Sequence, residues 1–152
     1  MLLTDILTED RIRVPLRART KPDLLRELVE IVTVTDGIDR PTDVLRAVEE
    51  REAILSTGIG SGVAIPHGKS DAVPELRMAA GVTETPVDFD ALDGQPVRLV
   101  FLLIGPESAA GPHIKALSRI ARLVQKESIR ERLVGATSVA DFYNALKEAE
   151  GA

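Results

Sequence analysis

His67 sits in Thr57-Gly58-Ile59-Gly60-Ser61-Gly62-Val63-Ala64-Ile65-Pro66-His67-Gly68-Lys69, and it is one of only two histidines in a chain without cysteine. Three glycines in five positions, Gly58, Gly60 and Gly62, predict a backbone bent through conformations that a Cβ would forbid. Such a loop, Ser61 included, can turn several N–H groups toward an anion, which makes Gly58, Gly60, Ser61 and Gly62 a candidate anion cradle. The apolar run Val63-Ala64-Ile65 reads as a short buried strand, so the imidazole is expected at a strand end. Pro66 fixes its own φ there, and Gly68 is expected to let the chain leave sharply. The second imidazole, His113, and the arginine Arg51 are expected at a helix start and late in a helix. A neutral imidazole is a nucleophile or a hydrogen-bond donor, and a guanidinium binds oxyanions. Taken singly, His113 would ordinarily be a packing residue, and Arg51 would ordinarily pair with Glu49, Glu52 or Asp71. Pro-His-Gly after a glycine loop matches no ordinary core pattern.

The elements that must position these groups follow from periodicity. Ile12, Val14 and Leu16 alternate with charged residues and Pro15, as in a half-buried edge strand. Thr20 is placed to cap a helix with Pro22 in its first turn, carrying Leu24, Leu25, Leu28, Val29 and Val32 to a stop near Asp36-Gly37. A second helix is expected from Pro41-Thr42. There Val44, Val48, Arg51 and Leu55 recur at four, three and four, which predicts Arg51 on the inward stripe. Asp71–Leu76 reads as a loop, Arg77–Thr83 as a strand, Val87-Asp88-Phe89 as a short strand and Asp93-Gly94-Gln95-Pro96 as a turn. Val97 to Ile104 is nearly unbroken apolar, as expected of a central strand covered on both faces. A loop through Gly111-Pro112 then leads to a helix opening at His113, with Leu117, Ile120 and Val124 on one stripe. Two short helices follow, Ile129–Val134 and one capped by Ser138, where Asp141 resembles the far partner of a capping box.

These elements predict an α/β fold, one domain over residues 1–152, with a mixed β-sheet flanked by helices on both faces. A net charge of −5 supplies no overall field toward nucleic acid or an anionic membrane. The absence of cysteine excludes disulfides, thiolate catalysis and thiolate-bound metal. No apolar run approaches the length of a membrane span, and Asp5 interrupts what would be a leader's apolar region, so a cytoplasmic protein without direct membrane insertion is expected.

Arg51-Glu52, Thr57-Gly58-Ile59-Gly60, Ala64-Ile65-Pro66-His67-Gly68, Val87 to Val97 and His113 to Ser118 come in an order that resembles the type 2 enzymes IIA of the phosphoenolpyruvate:sugar phosphotransferase system. That group includes fructose, mannitol and nitrogen-regulatory members. The resemblance covers essentially the whole chain. It implies that His67 is phosphorylated on Nε2 by the phosphohistidine of the carrier HPr, and that Arg51 and His113 complete the active site. It implies onward transfer to an enzyme IIB on a separate chain, since the cysteine-phosphorylated IIB domain has no place in this one. The alternative it implies is a signalling module whose His67 phosphorylation state controls binding to partner proteins, and Asp90-Ala91-Leu92-Asp93-Gly94-Gln95-Pro96-Val97 leans toward that branch. Neither a cofactor nor a metal is expected. A two-histidine metal site completed by Asp71 would have poor ligand spacing.

Overall fold

Val97–Gly105 forms strand β6, and all of it except Arg98 is buried. The structure, a computed structural model, describes residues 1–151. On one side of β6 lies β5 (Arg77–Val87), antiparallel; on the other lie β3 (Val63–Ala64) and β4 (His67–Lys69), both parallel. Strand β1 (Ile12–Leu16), parallel to β5, forms one edge, and β2 (Gly58–Gly60), antiparallel to β3, lies outermost at the other. The result is the expected single domain built on a mixed sheet, here of six strands. Helices α1 (Lys21–Thr35) and α2 (Pro41–Ile54) bury Leu24, Leu28, Val44 and Val48 against Val100 and Leu102. On the opposite face α3 (Ala110–Val124), α4 (Glu127–Val134) and α5 (Val139–Gly151) bury Ile120, Leu133 and Phe142 against Leu99 and Phe101. Each face is closed because alternate β6 side chains are apolar in both directions.

β3 and β4 behave as one strand interrupted at Pro66. Val63 pairs with Leu99 and His67 with Leu103, the same offset of 36 residues on both sides of the break. The Pro66 carbonyl still accepts from Leu103 N–H at 3.0 Å, but a proline nitrogen cannot donate the next rung. Because the register is unbroken, alternation persists. Val63 and Ile65 enter the α3–α5 core and Ala64 the α1–α2 core, which sets His67 on the α3 side and Gly68 on the α2 side. Gly68 does not let the chain leave sharply, as its position after His67 suggests. It continues β4, and a Cβ there would lie 3.0 Å from the backbone of Ala47 and Val48, so its role is to let α2 approach.

Other boundaries differ from periodicity for identifiable reasons. Val87 is the last residue of β5 rather than part of a separate strand, and Phe89 is buried in irregular chain. The segment before His113 is helical from Ala110, with Gly111 and Pro112 in the first turn, where a proline's missing N–H goes unneeded. Thr20 Oγ1 accepts from Asp23 N–H at 3.3 Å, the expected cap. Ser138 Oγ accepts from Asp141 N–H at 3.0 Å, but the Asp141 carboxylate reaches back to Thr137 N–H rather than to Ser138.

Candidate functional site

His67 opens β4 at a sheet edge. No strand pairs with the outer side of β4 among the described residues. Its Nδ1 lies 2.8 Å from the Ile65 carbonyl oxygen. A carbonyl only accepts, so Nδ1 carries the hydrogen and, in the neutral ring, Nε2 keeps a free lone pair. Burial lowers the His67 pKa, and the charges of Arg51 and Lys69 push it the same way; the Ile65 carbonyl and the Glu52 carboxylate oppose them. The net direction keeps the ring unprotonated near neutral pH.

The cleft beside His67 wraps around this edge. Ala47 and Arg51 reach it from α2 on one face of the sheet, while His113, Ile114 and Leu117 reach it from α3 on the other. The two imidazoles are 5.6 Å apart between centroids and inclined at 68°. His113 is 2 % exposed, and neither of its ring nitrogens has a hydrogen-bond partner among the described residues. A buried N–H left unmatched costs free energy that an incoming acceptor would recover. Burial, reinforced by the facing charges of His67 and Lys69, lowers the His113 pKa to about 4.

That shift has a stability consequence. The unfolded chain takes up a proton near the reference pKa of about 6.5 and the folded chain only near about 4, so acidification through this window favours unfolding. From pH 7 to pH 5 His113 alone should remove on the order of 2 kcal/mol. Urea unfolding at the two pH values, compared between the wild type and His113→Leu, measures this. The variant should lose distinctly less stability on acidification, and equal losses would reject the buried, neutral state.

Arg51 lines the cleft but not by lying on the inward stripe. The buried residues of α2 are Val44, Val48 and Glu52, whereas Leu55 is exposed and extended beyond the helix end. The core stripe steps by four residues throughout. Arg51 therefore stands at its border, where Nη1 donates to the Leu55 carbonyl at 2.9 Å and holds the guanidinium over the helix C-terminus. Lys69, two residues beyond His67 on the same strand face, also lines the cleft, with Nζ 3.8 Å from the Glu107 carboxylate. Sequence reading missed Lys69; recognising β4 as a strand would have placed it, because period two aligns residues 67 and 69.

The glycine segment does not join this cleft. Gly58, Gly60, Ser61 and Gly62 are absent from its lining. The Ser61 N–H donates to Asp93 Oδ2 at 2.9 Å and the Gly58 N–H to Ser56 Oγ at 3.1 Å, so these two amides are already engaged. The left-handed backbone expected there is present, with φ of 101° at Gly60, 57° at Ser61 and 77° at Gly62. It serves a tight reversal between β2 and β3 rather than a cradle for an anion. Asp71 Oδ1 is aimed at the Glu107 N–H, and no group of three metal-ligating side chains forms among the described residues. No described helix is long and apolar enough to cross a membrane.

A family model described as "Phosphoenolpyruvate-dependent sugar phosphotransferase system, EIIA 2" matches residues 5–149. A nitrogen regulatory protein of Bradyrhizobium diazoefficiens is 37% identical over 96% of this chain and 95% of its own length. The fructose-specific EIIABC component of Bacillus subtilis is 36% identical over 91% of this chain, which spans only 22% of that protein. Among solved structures, nitrogen regulatory protein IIA-Ntr of Neisseria meningitidis superposes with a TM-score of 0.88 at 35% identity, covering 95% of this chain and 98% of that one. Mannitol enzyme IIA of Escherichia coli, solved in complex with phosphorylated mannitol enzyme IIB, gives 0.79 at 25% identity, covering 93% and 97%.

Proposed function

The chain belongs to the EIIA 2 family of the phosphoenolpyruvate-dependent sugar phosphotransferase system, and on that premise we propose that it is a histidine phosphoryl carrier acting through Nε2 of His67. The observation that carries this reading is the 2.8 Å bond from His67 Nδ1 to the Ile65 carbonyl. It leaves the nitrogen opposite it unprotonated at the mouth of a cleft that also holds Arg51, Lys69 and His113. Attack by Nε2 on the phosphohistidine of an HPr-type donor forms one N–P bond as the donor's breaks. The ring then carries positive charge, which the Ile65 carbonyl stabilises through the retained Nδ1–H. The guanidinium, the ammonium and the His113 N–H supply donors for the moving phosphoryl oxygens. The onward acceptor is an enzyme IIB on another chain.

Incubating the chain with phosphoenolpyruvate, enzyme I and HPr should yield one acid-labile phosphate per chain, attached at Nε2 in phosphorus–nitrogen correlation spectra. Attachment at Nδ1, or no incorporation, would reject the reading. A second reading has its own support. The relatives matched over nearly their whole length include nitrogen regulatory proteins, and the structure with a TM-score of 0.88 is one of them. In that reading phosphorylated His67 switches binding to a regulatory target, since a dianion at the cleft mouth reverses the local charge. Failure of the phosphorylated chain to discharge to any IIB of its own cell, with phosphorylation-dependent retention of another protein, would favour it.

A further inference from the structure

The most deeply buried charged side chain of α2, Glu52 at 7 % exposure, has no part in the chemistry above. It follows Arg51 directly, so one helical turn sends the guanidinium to the cleft and the carboxylate inward. Glu52 Oε1 and Oε2 accept from Thr57 N–H at 3.0 and 3.2 Å, and Oε2 accepts from Thr57 Oγ1 at 2.6 Å. Lys21 Nζ, 3.0 Å from Oε1 and 4.7 Å from the centre of the Phe89 ring, fixes the carboxylate from α1.

What Thr57 would otherwise do gives this clamp its meaning. Gly58 pairs with Ala64 across the antiparallel β2–β3 ladder, so Thr57 stands opposite Ile65 as the next rung. Half of that rung is made, from Ile65 N–H to the Thr57 carbonyl at 3.0 Å. In a regular antiparallel rung the Thr57 N–H would return the bond to the Ile65 carbonyl. Here it is diverted to Glu52, and the Ile65 carbonyl receives His67 Nδ1–H instead. We infer that Glu52 is a positioning residue for phosphoryl transfer: by holding the Thr57 N–H out of the strand ladder, it leaves the Ile65 carbonyl to the His67 Nδ1–H without a competing donor, and so favours the tautomer that presents Nε2. The inference rests on the proposed attack by Nε2.

The test can be read without any phosphoryl transfer. In the unphosphorylated wild type, nitrogen spectra should show His67 as a single Nδ1–H tautomer, and couplings across hydrogen bonds should join the Thr57 nitrogen to the Glu52 carboxyl carbon. Coupling to the Ile65 carbonyl carbon instead would overturn the inference even if no variant folds. Glu52→Leu removes the acceptor. The Thr57 amide should then couple to Ile65, the Nε2–H tautomer should appear, and acceptance of phosphate from HPr should slow roughly tenfold, the loss expected from one misplaced hydrogen bond. Glu52→Gln keeps an acceptor oxygen and should restore the single tautomer. A merely structural role would lower the melting temperature of both variants while leaving the tautomer and the Thr57 coupling unchanged, and that result would overturn the inference. A chain that loses its tautomer in Glu52→Leu yet never accepts phosphate would reject the carrier reading while leaving the geometric role of Glu52 standing.

Discussion

His67→Ala should accept no phosphate at all from phospho-HPr while folding normally. The side chain is half-buried at a sheet edge and contributes little to either core, and the β4 pairing to β6 is made by backbone groups that alanine retains. Removing the ring therefore deletes the acceptor nitrogen and almost nothing else. His113 cannot stand in for it. At 2 % exposure its ring is too enclosed for a donor imidazole to approach in line, although it stands close enough to His67, 5.6 Å between centroids, to donate to a group carried there. Acid-labile phosphate incorporation, with circular dichroism as the folding control, measures this. Label retained on the variant at wild-type stoichiometry would assign the chemistry to another residue.

His113→Ala should leave the acceptor in place and slow its use about 10²- to 10³-fold, the range found when a preorganised donor to developing charge is removed from a water-poor site. With a pKa of about 4 the ring is neutral across the working pH range, so in the proposed transfer its part is that of a hydrogen-bond donor rather than of a cation. The slowing should accordingly be the same from pH 6 to pH 8. Arg51→Ala should cost less, since the Arg51 guanidinium is part-exposed and shares its donors with the Leu55 carbonyl. Quenched-flow transfer from phospho-HPr separates the two, and unchanged rates in both variants would remove the proposed cradle.

The sheet and helices were legible because long apolar runs and helical stripes dominate this chain. Val97 to Ile104 can only be a doubly covered strand, and Thr20, Pro22 and Gly37 mark the ends of α1 unambiguously. His67, His113 and Arg51, singled out by residue type and setting, do converge on one cleft. What escaped sequence reading was set by tertiary contacts. The spacing of Val44, Val48 and Leu55 points to Arg51 as the inward residue, yet a charged side chain, Glu52, takes the buried position because Thr57 and Lys21 satisfy it there. Glycine content alone cannot distinguish an anion cradle from a tight reversal. The difference lies in Ser56 and Asp93, which engage the amides of Gly58 and Ser61. Gly68 carries no local signal of the helix backbone that would lie 3.0 Å from a Cβ at this position.

The uninterrupted pairing of Val63 to Lys69 with β6 also limits how such a chain can change in length. A single insertion between Ala64 and His67 would turn the imidazole to the other face, into the register now held by Gly68, where a Cβ would lie 3.0 Å from the α2 backbone. A second insertion would restore its facing, but in the register now held by Lys69, opposite Gly105. The spacing between Ala64 and His67 is therefore as much a part of the proposed site as the histidine itself.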